Sequence, residues 1–259
     1  MTCVIGYANQ TDNATLSGGS WNASYPLTNL KNRYLWQKAR SNNALAASTV
    51  LTANLGSVQR IGVIALCGHN LTATYTTKAT VRIQAYSDAG LTALLYDTGA
   101  ESIYSGIDYA RSFTGVESQY WKITIADTTN VSGYVEFGRL FMGWSFSPAN
   151  NIDWGASISI ESTTNVVQSL AGPEYFDERP NRRVWQGKWS WLDDYEAYRV
   201  ILTIQRSQDI SREVYLIEDD TDVSYRDLRW FLGRFKQLSA IEWPYVSQHA
   251  VGVEISEVL

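Results

Sequence analysis

The chain has 259 residues, 45% of them apolar and only 18% charged, with a formal net charge of −5. That length suffices for one large core or two ordinary ones. The acidic balance argues against a general nucleic-acid binder, which needs a basic face to neutralise phosphates. No apolar run approaches the roughly 18 residues of a membrane span, so no membrane insertion is expected. The N-terminus has no basic region followed by an apolar stretch, so no secretory signal is read there. Aromatic residues reach 13%, with 10 Trp and 16 Tyr, a composition that favours strands and contact surfaces. Cys3 and Cys67 are too few for a disulfide framework or a Cys-rich zinc site and are expected to be reduced thiols.

The first half reads as short strands broken by polar turns. Thr49 to Leu55 is a strand that Gly56 is expected to end, and Arg60 to Cys67 is an apolar run closed by Gly68. In Ala79 to Tyr86, Val81, Ile83 and Ala85 alternate with Arg82 and Gln84, the pattern of a half-buried strand. Ser87 to Gly90 then supplies turn chemistry. Tyr120 to Ile125 and Tyr134 to Met142 repeat the alternation, and no long stretch has a 3.6-residue period. These features predict a β-sandwich.

Composition shifts near Trp144. Residues 1–144 carry 10 Lys and Arg against 8 Asp and Glu, whereas residues 145–259 carry 11 against 18. A linker is placed at 145–150, between a first domain at 1–144 and a second at 151–259. In the second domain Arg183, Trp185, Gly187, Trp189 and Trp191 are expected on one strand face. From about 194 to 206, Ala197, Val200, Ile201 and Ile204 recur at helical spacing, with Asp193 or Asp194 as the cap. Glu213–Glu218, Arg229–Ser239 and Ala250–Val258 are further strands. The expected fold is mainly β: an N-terminal jelly-roll β-sandwich and a C-terminal small β-barrel or sandwich with one packed α-helix.

Several stretches of the first half share an order with a known family. Gly19 to Leu30 contains Trp21 and is followed by Tyr34-Leu35-Trp36-Gln37. Asn54-Leu55-Gly56 then runs into Ile61 to Leu66, and Val81-Arg82-Ile83 exits through Tyr86-Ser87-Asp88. Tyr120 to Ile123 and Val135 to Leu140 supply two last strands. This order, over roughly residues 15–144, resembles the galactose-binding-like, or discoidin-type, jelly roll, with Asn54 in place of that family's usual Asp. Loop aromatics Tyr25, Tyr34, Trp36 and Tyr75 are the candidate sugar-stacking residues, although core or interface packing is the role expected of them. The second half, with its strand–helix–strand order and Trp230-Phe231-Leu232-Gly233-Arg234-Phe235, is similar to distal-tail or tail-tip (baseplate) proteins of bacteriophages. That likeness implies a virion structural protein, made in the host cytoplasm and located in the tail. It would form a cyclic homo-oligomer, a hexamer or trimer, contacting the tail tube and tail hub and displaying the jelly roll towards host-surface carbohydrate.

Chemistry is sparse. His69 and His249 fall in different expected domains and in no zinc spacing, and no nucleophile elbow, P-loop or dinucleotide fingerprint occurs. His69, beside Gly68 and Asn70, reads as a hydrogen-bonding residue at a strand end. The acidic runs Glu218-Asp219-Asp220-Thr221-Asp222 and Asp193-Asp194 lack an EF-hand pattern and read as solvated turns. No catalytic residue, metal or cofactor is therefore expected, and the chain reads as a binding and assembly protein rather than an enzyme. Trp185, Trp189, Trp191, Arg229, Trp230 and Arg234 are the expected contacts between copies. The alternative is a lectin-like, carbohydrate-binding module.

Overall fold

The computed structural model describes residues 2–74, 77–103, 108–169, 172–222 and 224–259. The chain forms two compact units, one of residues 1–147 with 215–231 and one of 148–214 with 232–259. This corrects the single boundary at 145–150: a stretch from the second half belongs to the first unit. The cause is strand pairing, because Val4, Ile5 and Gly6 lie antiparallel to Ile217, Leu216 and Tyr215.

Unit 1 holds β1 (Val4–Tyr7), β2 (Thr15–Ser17), β3 (Ala39–Arg40), β4 (Val50–Cys67), β5 (Thr80–Tyr86), β6 (Leu94–Asp97), β7 (Glu101–Ser102), β8 (Asp108–Ala126), β9 (Glu136–Phe137) and β10 (Arg139–Phe146). Gly56 does not end a strand as expected. The backbone passes through it at a φ of +80° and continues as one strand to Cys67. The register between β4 and β8 slips there, between Asn54 and Gln59. An irregularity of this kind bends a long ribbon and lets its two ends serve different layers. The first end of β4 pairs with β2 and the last part of β8, which pairs onward to β5. The other end pairs with the first part of β8 and with β10, which leads to β1.

A β-sandwich results, with its core between the layers. Leu51, Ala53, Val81, Ile83, Ala85, Trp121, Ile123 and Ile125 come from one layer, and Ile64, Leu66, Leu140 and Met142 from the other. On β5 the expected alternation is present in Val81, Ile83 and Ala85, all fully buried, while Arg82 reaches out to Asp97. Arg139 is buried at the start of β10. It donates from Nη1 to the Leu30 carbonyl at 3.1 Å and pairs through Nη2 with Asp12 at 2.6 Å. One guanidinium thus pins two short 3₁₀ turns, Gln10–Asn13 and Leu27–Lys31, to the sandwich. His69 is buried just past the end of β4, and its Nδ1 accepts from the Leu71 amide at 3.3 Å. Cys3 and Cys67 are buried, reduced thiols.

Unit 2 is built on β11 (Ser157–Glu161), β12 (Asn165–Gln168), β13 (Glu174–Asp177) and β14 (Arg182–Leu192). After β15 (Val214–Ile217), whose last three residues belong to unit 1, come β16 (Trp230–Gln237), whose first two residues also belong to unit 1, β17 (Ile241–Tyr245) and β18 (Gln248–Glu257). β18 is the hub: β14 pairs along it, and β16 and β17 pair with its two ends. β11 pairs with β14, while β12 and β13 form a separate two-stranded hairpin. Trp185 lies opposite Ile255 and Trp189 opposite Val251, and all four are buried. Gly187 is required between the two Trp residues. A Cβ there would sit 2.3 Å from Ile152 Cδ1 and 2.5 Å from the Trp185 ring.

The helix lies where its apolar spacing predicted, but it starts wide. Glu196–Ile201 is a π-helical turn that runs into α1 (Leu202–Gln208). Asp193 Oδ1 accepts from the Glu196 amide at 2.7 Å and Glu196 Oε2 accepts from the Asp193 amide at 3.3 Å, a reciprocal capping box. Ala197, Ile201 and Ile204 form the buried stripe. A second, four-residue helix, α2 (Arg226–Arg229), was not expected from the sequence.

Candidate functional site

In unit 1, the segment from Trp21 to Arg40 carries three of the four loop aromatics singled out above. Its base is fixed on both sides. Asn29 donates to the Lys38 carbonyl at 2.9 Å, and the Leu27–Lys31 turn is held by Arg139. At the far end, Ala39 and Arg40 pair with Phe137 and Glu136. The Leu35 backbone packs over Gly138 so closely that a Cβ there would lie 2.4 Å from the Leu35 carbonyl oxygen. Glycine at 138 is what lets the loop sit down on the sandwich.

Held this way, the loop turns its rings outward. Trp36 is 73% exposed and Tyr34 61%, with ring centroids 6.1 Å apart and planes tilted by 34°. The Asn32 side-chain amide donates to the Gln37 side-chain carbonyl, which ties together the two ends of the short stretch that carries the rings. Tyr25 is more covered: the Arg40 guanidinium lies 4.5 Å over its ring and 4.2 Å over that of Tyr134. Arg40 is oriented by Glu136, which accepts from its Nη2 at 2.8 Å and its Nε at 3.1 Å, and from Lys38 Nζ at 2.8 Å. Burial alone would raise the Glu136 carboxyl, but the Lys38 and Arg40 charges together hold it below the ordinary carboxylate range.

Tyr25, Tyr34 and Trp36 are thus in one loop, and Tyr75 lies outside the described residues. Sequence reasoning missed Lys38, Arg40, Tyr134 and Glu136. Arg40 and Glu136 are 96 positions apart and meet only through the β3–β9 pairing, so no local pattern signals them.

The expected contacts between copies divide differently. Trp185, Trp189 and Trp230 are buried within this chain, so they are core residues and not surface contacts. Trp230 donates from Nε1 to the Asp219 carbonyl at 3.1 Å. Arg229 is largely engaged within unit 1, 2.6 Å from Glu218 and 3.0 Å from Asp222. The acidic run therefore spends carboxylates on an arginine instead of standing as a solvated turn. Trp191 and Arg234 are exposed in unit 2. Trp191 departs from the face of Trp185 and Trp189 because a bulge falls between Trp189 and Leu192. It stacks instead on Tyr245, with centroids 5.8 Å apart and planes within 7°.

His249 is also buried, with Nε2 2.7 Å from Asp194. Among the described residues no group of three or more His, Cys, Asp or Glu side chains is placed to hold a metal ion, and no helix is long and apolar enough to cross a membrane.

No protein-family model matches the chain, and no curated protein matches it. Solved structures do. The lectin domain of lectinolysin complexed with Lewis B antigen is similar at 12% identity and a TM-score of 0.42, over 54% of this chain and 98% of that one. The family 32 carbohydrate-binding module of Clostridium perfringens NanJ, in complex with galactose, is similar at 18% identity and a TM-score of 0.40, over 55% of this chain and 99% of that one. SpGH29 is similar at 16% identity and a TM-score of 0.42, over 54% of this chain, which spans only 28% of that protein.

Proposed function

We propose that unit 1 binds a carbohydrate on the loop that carries Tyr34 and Trp36. The observation behind this reading is the outward pair of rings on a loop anchored at both ends, with polar groups beside it. A pyranose presents an apolar C–H face and a rim of hydroxyls. Aromatic faces take the first, and amide, guanidinium and carboxylate groups take the second. Here the rings are Tyr34 and Trp36, and the polar groups are Asn32, Gln37, Lys38, Arg40 and Glu136. The role is binding without catalysis. Probing the full chain against an array of immobilised glycans tests it. At least one glycan class should bind, and Trp36→Ala should lose that binding with the thermal transition unchanged. An array with no bound glycan, or binding that survives both Trp36→Ala and Tyr34→Ala, would overturn the reading.

A second reading concerns unit 2 and rests on a different observation: the β12–β13 hairpin leaves Val166, Val167, Tyr175 and Phe176 in solvent, and Trp154, Trp191, Trp243 and Tyr245 are exposed elsewhere in the unit. We read the uncovered hairpin as a surface for contact with another protein. In this reading unit 2 assembles copies of the chain, in a bacteriophage tail tip as the resemblance of the second half implies, with the tail tube and hub as neighbours. Antibodies against the chain should then label the tail ends of purified virions; label absent from virions counts against that location.

A further inference from the structure

One face of the unit 2 sheet carries two arginines that have no ion pair among the described residues. Arg182 on β14 and Arg234 on β16 line one open cleft of about 320 Å³, together with Ile210, Phe235, Lys236 and Glu161. The other charges there are matched. Lys236 lies 3.5 Å from Glu161 and 3.3 Å from Glu254, and the neighbouring Arg183 pairs with Glu257. Neither Arg182 nor Arg234 has a carboxylate partner among the described residues, and Arg182 Nε is buried with no acceptor. A desolvated guanidinium donor without a partner is costly, which makes the cleft a site for an anionic group.

The hairpin of the same unit carries the complementary pattern. Register pairs Val166 with Phe176 and Val167 with Tyr175. Alternation then puts Glu174, Phe176 and Val166 on one face, with Glu178 continuing it just beyond the end of β13. Phe176 is 61% exposed, and Glu174 and Glu178 have no ion pair among the described residues. Asp177, on the other face, is occupied by Arg179 at 2.6 Å.

The spacings also agree. Val184 and Arg234 both lie opposite Ser256, so Arg182 and Arg234 are two strands apart and offset by two residues. Standard sheet dimensions make that roughly 12 Å, and Glu174 and Glu178, four residues apart along an extended chain, span roughly 13 Å. An isolated two-stranded ribbon with apolar groups on both faces is marginal in water and gains stability when it is covered.

We propose that the Glu174–Glu178 edge of the hairpin docks in the Arg182/Arg234 cleft of a second copy of this chain, with Phe176 laid against the half-exposed Ile210. This deepens the assembly reading of unit 2, on which it rests, and leaves the glycan reading of unit 1 untouched. The contact joins two different patches of the protein, the arrangement that builds rings when the rotation closes and reciprocal dimers when two copies exchange arms.

The test is the solution mass of the full chain by light scattering and sedimentation through the micromolar range. The wild-type chain should exceed the 29.1 kDa of one copy. The double substitutions Glu174→Lys/Glu178→Lys and Arg182→Glu/Arg234→Glu should each return it to the monomer mass with an unchanged circular dichroism spectrum. Combining all four substitutions in one chain should restore association, because the charges are swapped and not removed. A wild-type chain that stays monomeric overturns both this contact and the assembly reading. A wild-type oligomer that neither double substitution weakens overturns the contact alone. Variants that lose mass without rescue in the fourfold chain also overturn it, since a nonspecific loss of folding would give that result.

Discussion

The two units draw on the same aromatic-rich composition and spend it differently. Unit 1 puts Trp121 and Phe137 wholly inside the sandwich and turns Tyr34 and Trp36 out on an anchored loop. Unit 2 buries Trp185 and Trp189 but leaves Trp154, Tyr175, Phe176, Trp191, Trp243 and Tyr245 exposed. On β11, β12 and β13 every residue is exposed. A sandwich of long bent strands has two layers to receive its rings, whereas a hairpin with no second layer cannot cover its own. Exposed rings therefore mean different things in the two units: a small built site in the first, and an uncovered surface in the second.

The largest test of that contrast is a pair of tryptophans. Trp121→Ala empties the centre of the unit 1 core and should cost about 3–5 kcal/mol in a denaturant melt, with glycan binding lost alongside. Trp154→Ala in unit 2, where the side chain is fully exposed, should stay within about 0.5 kcal/mol. A comparable cost at both positions would mean that unit 2 covers Trp154 in solution, which mass measurements on the two variants would then have to reflect.

The next effect separates the units by pH. Burial in unit 1 pushes the His69 imidazole down to about 4, from an ordinary value of 6.5. The unfolded chain binds this proton more readily than the folded one, so the contribution is present in full above pH 6.5. It is lost as the pH falls from there towards 4, by up to about 3 kcal/mol. Chemical unfolding midpoints compared above and inside that window should show the drop, and His69→Gln should flatten it. A wild-type chain whose stability is level across the window would contradict the buried, neutral assignment.

Much of the fold was legible because it is periodic. The Val81, Ile83, Ala85 alternation and the Ala197, Ile201, Ile204 stripe each record a buried face directly. What escaped was non-local. Gly56 looks like a turn, yet here it sits in a bulge that carries one strand between layers. Trp191 shares a two-residue spacing with Trp189, and a bulge still turns it to the opposite side. Residues 215–231 look like part of the second half, and only the pairing of β1 with Tyr215–Ile217 shows where they belong. In the candidate site, Tyr34 and Trp36 were expected to pack in a core or interface and instead stand exposed on their loop, and the Arg40–Glu136 clamp depends on a contact between residues 96 positions apart. The same limit hid the Arg182/Arg234 cleft, whose two arginines come from strands separated by β18.

The smallest effect sharpens what makes the unit 1 loop a site and not merely an exposed patch. Glu136 orients both Lys38 and Arg40, and through Arg40 it holds the Tyr25 and Tyr134 rings in place. Its carboxyl is held below the ordinary value, so its contribution is present above the unfolded value near 4.5 and is lost as the pH falls through the lower folded one. Glu136→Gln keeps the shape and removes the charge. Because the Lys38 and Arg40 side chains are about a third exposed, the stability cost should be about 1 kcal/mol or less. Affinity for the glycan found on the array should nevertheless fall several-fold in an isothermal titration, since a freed Arg40 no longer fixes the polar rim of the site. If Glu136→Gln binds as the wild type does while Trp36→Ala does not, the ring pair alone makes the contact and the clamp beneath it serves only the fold.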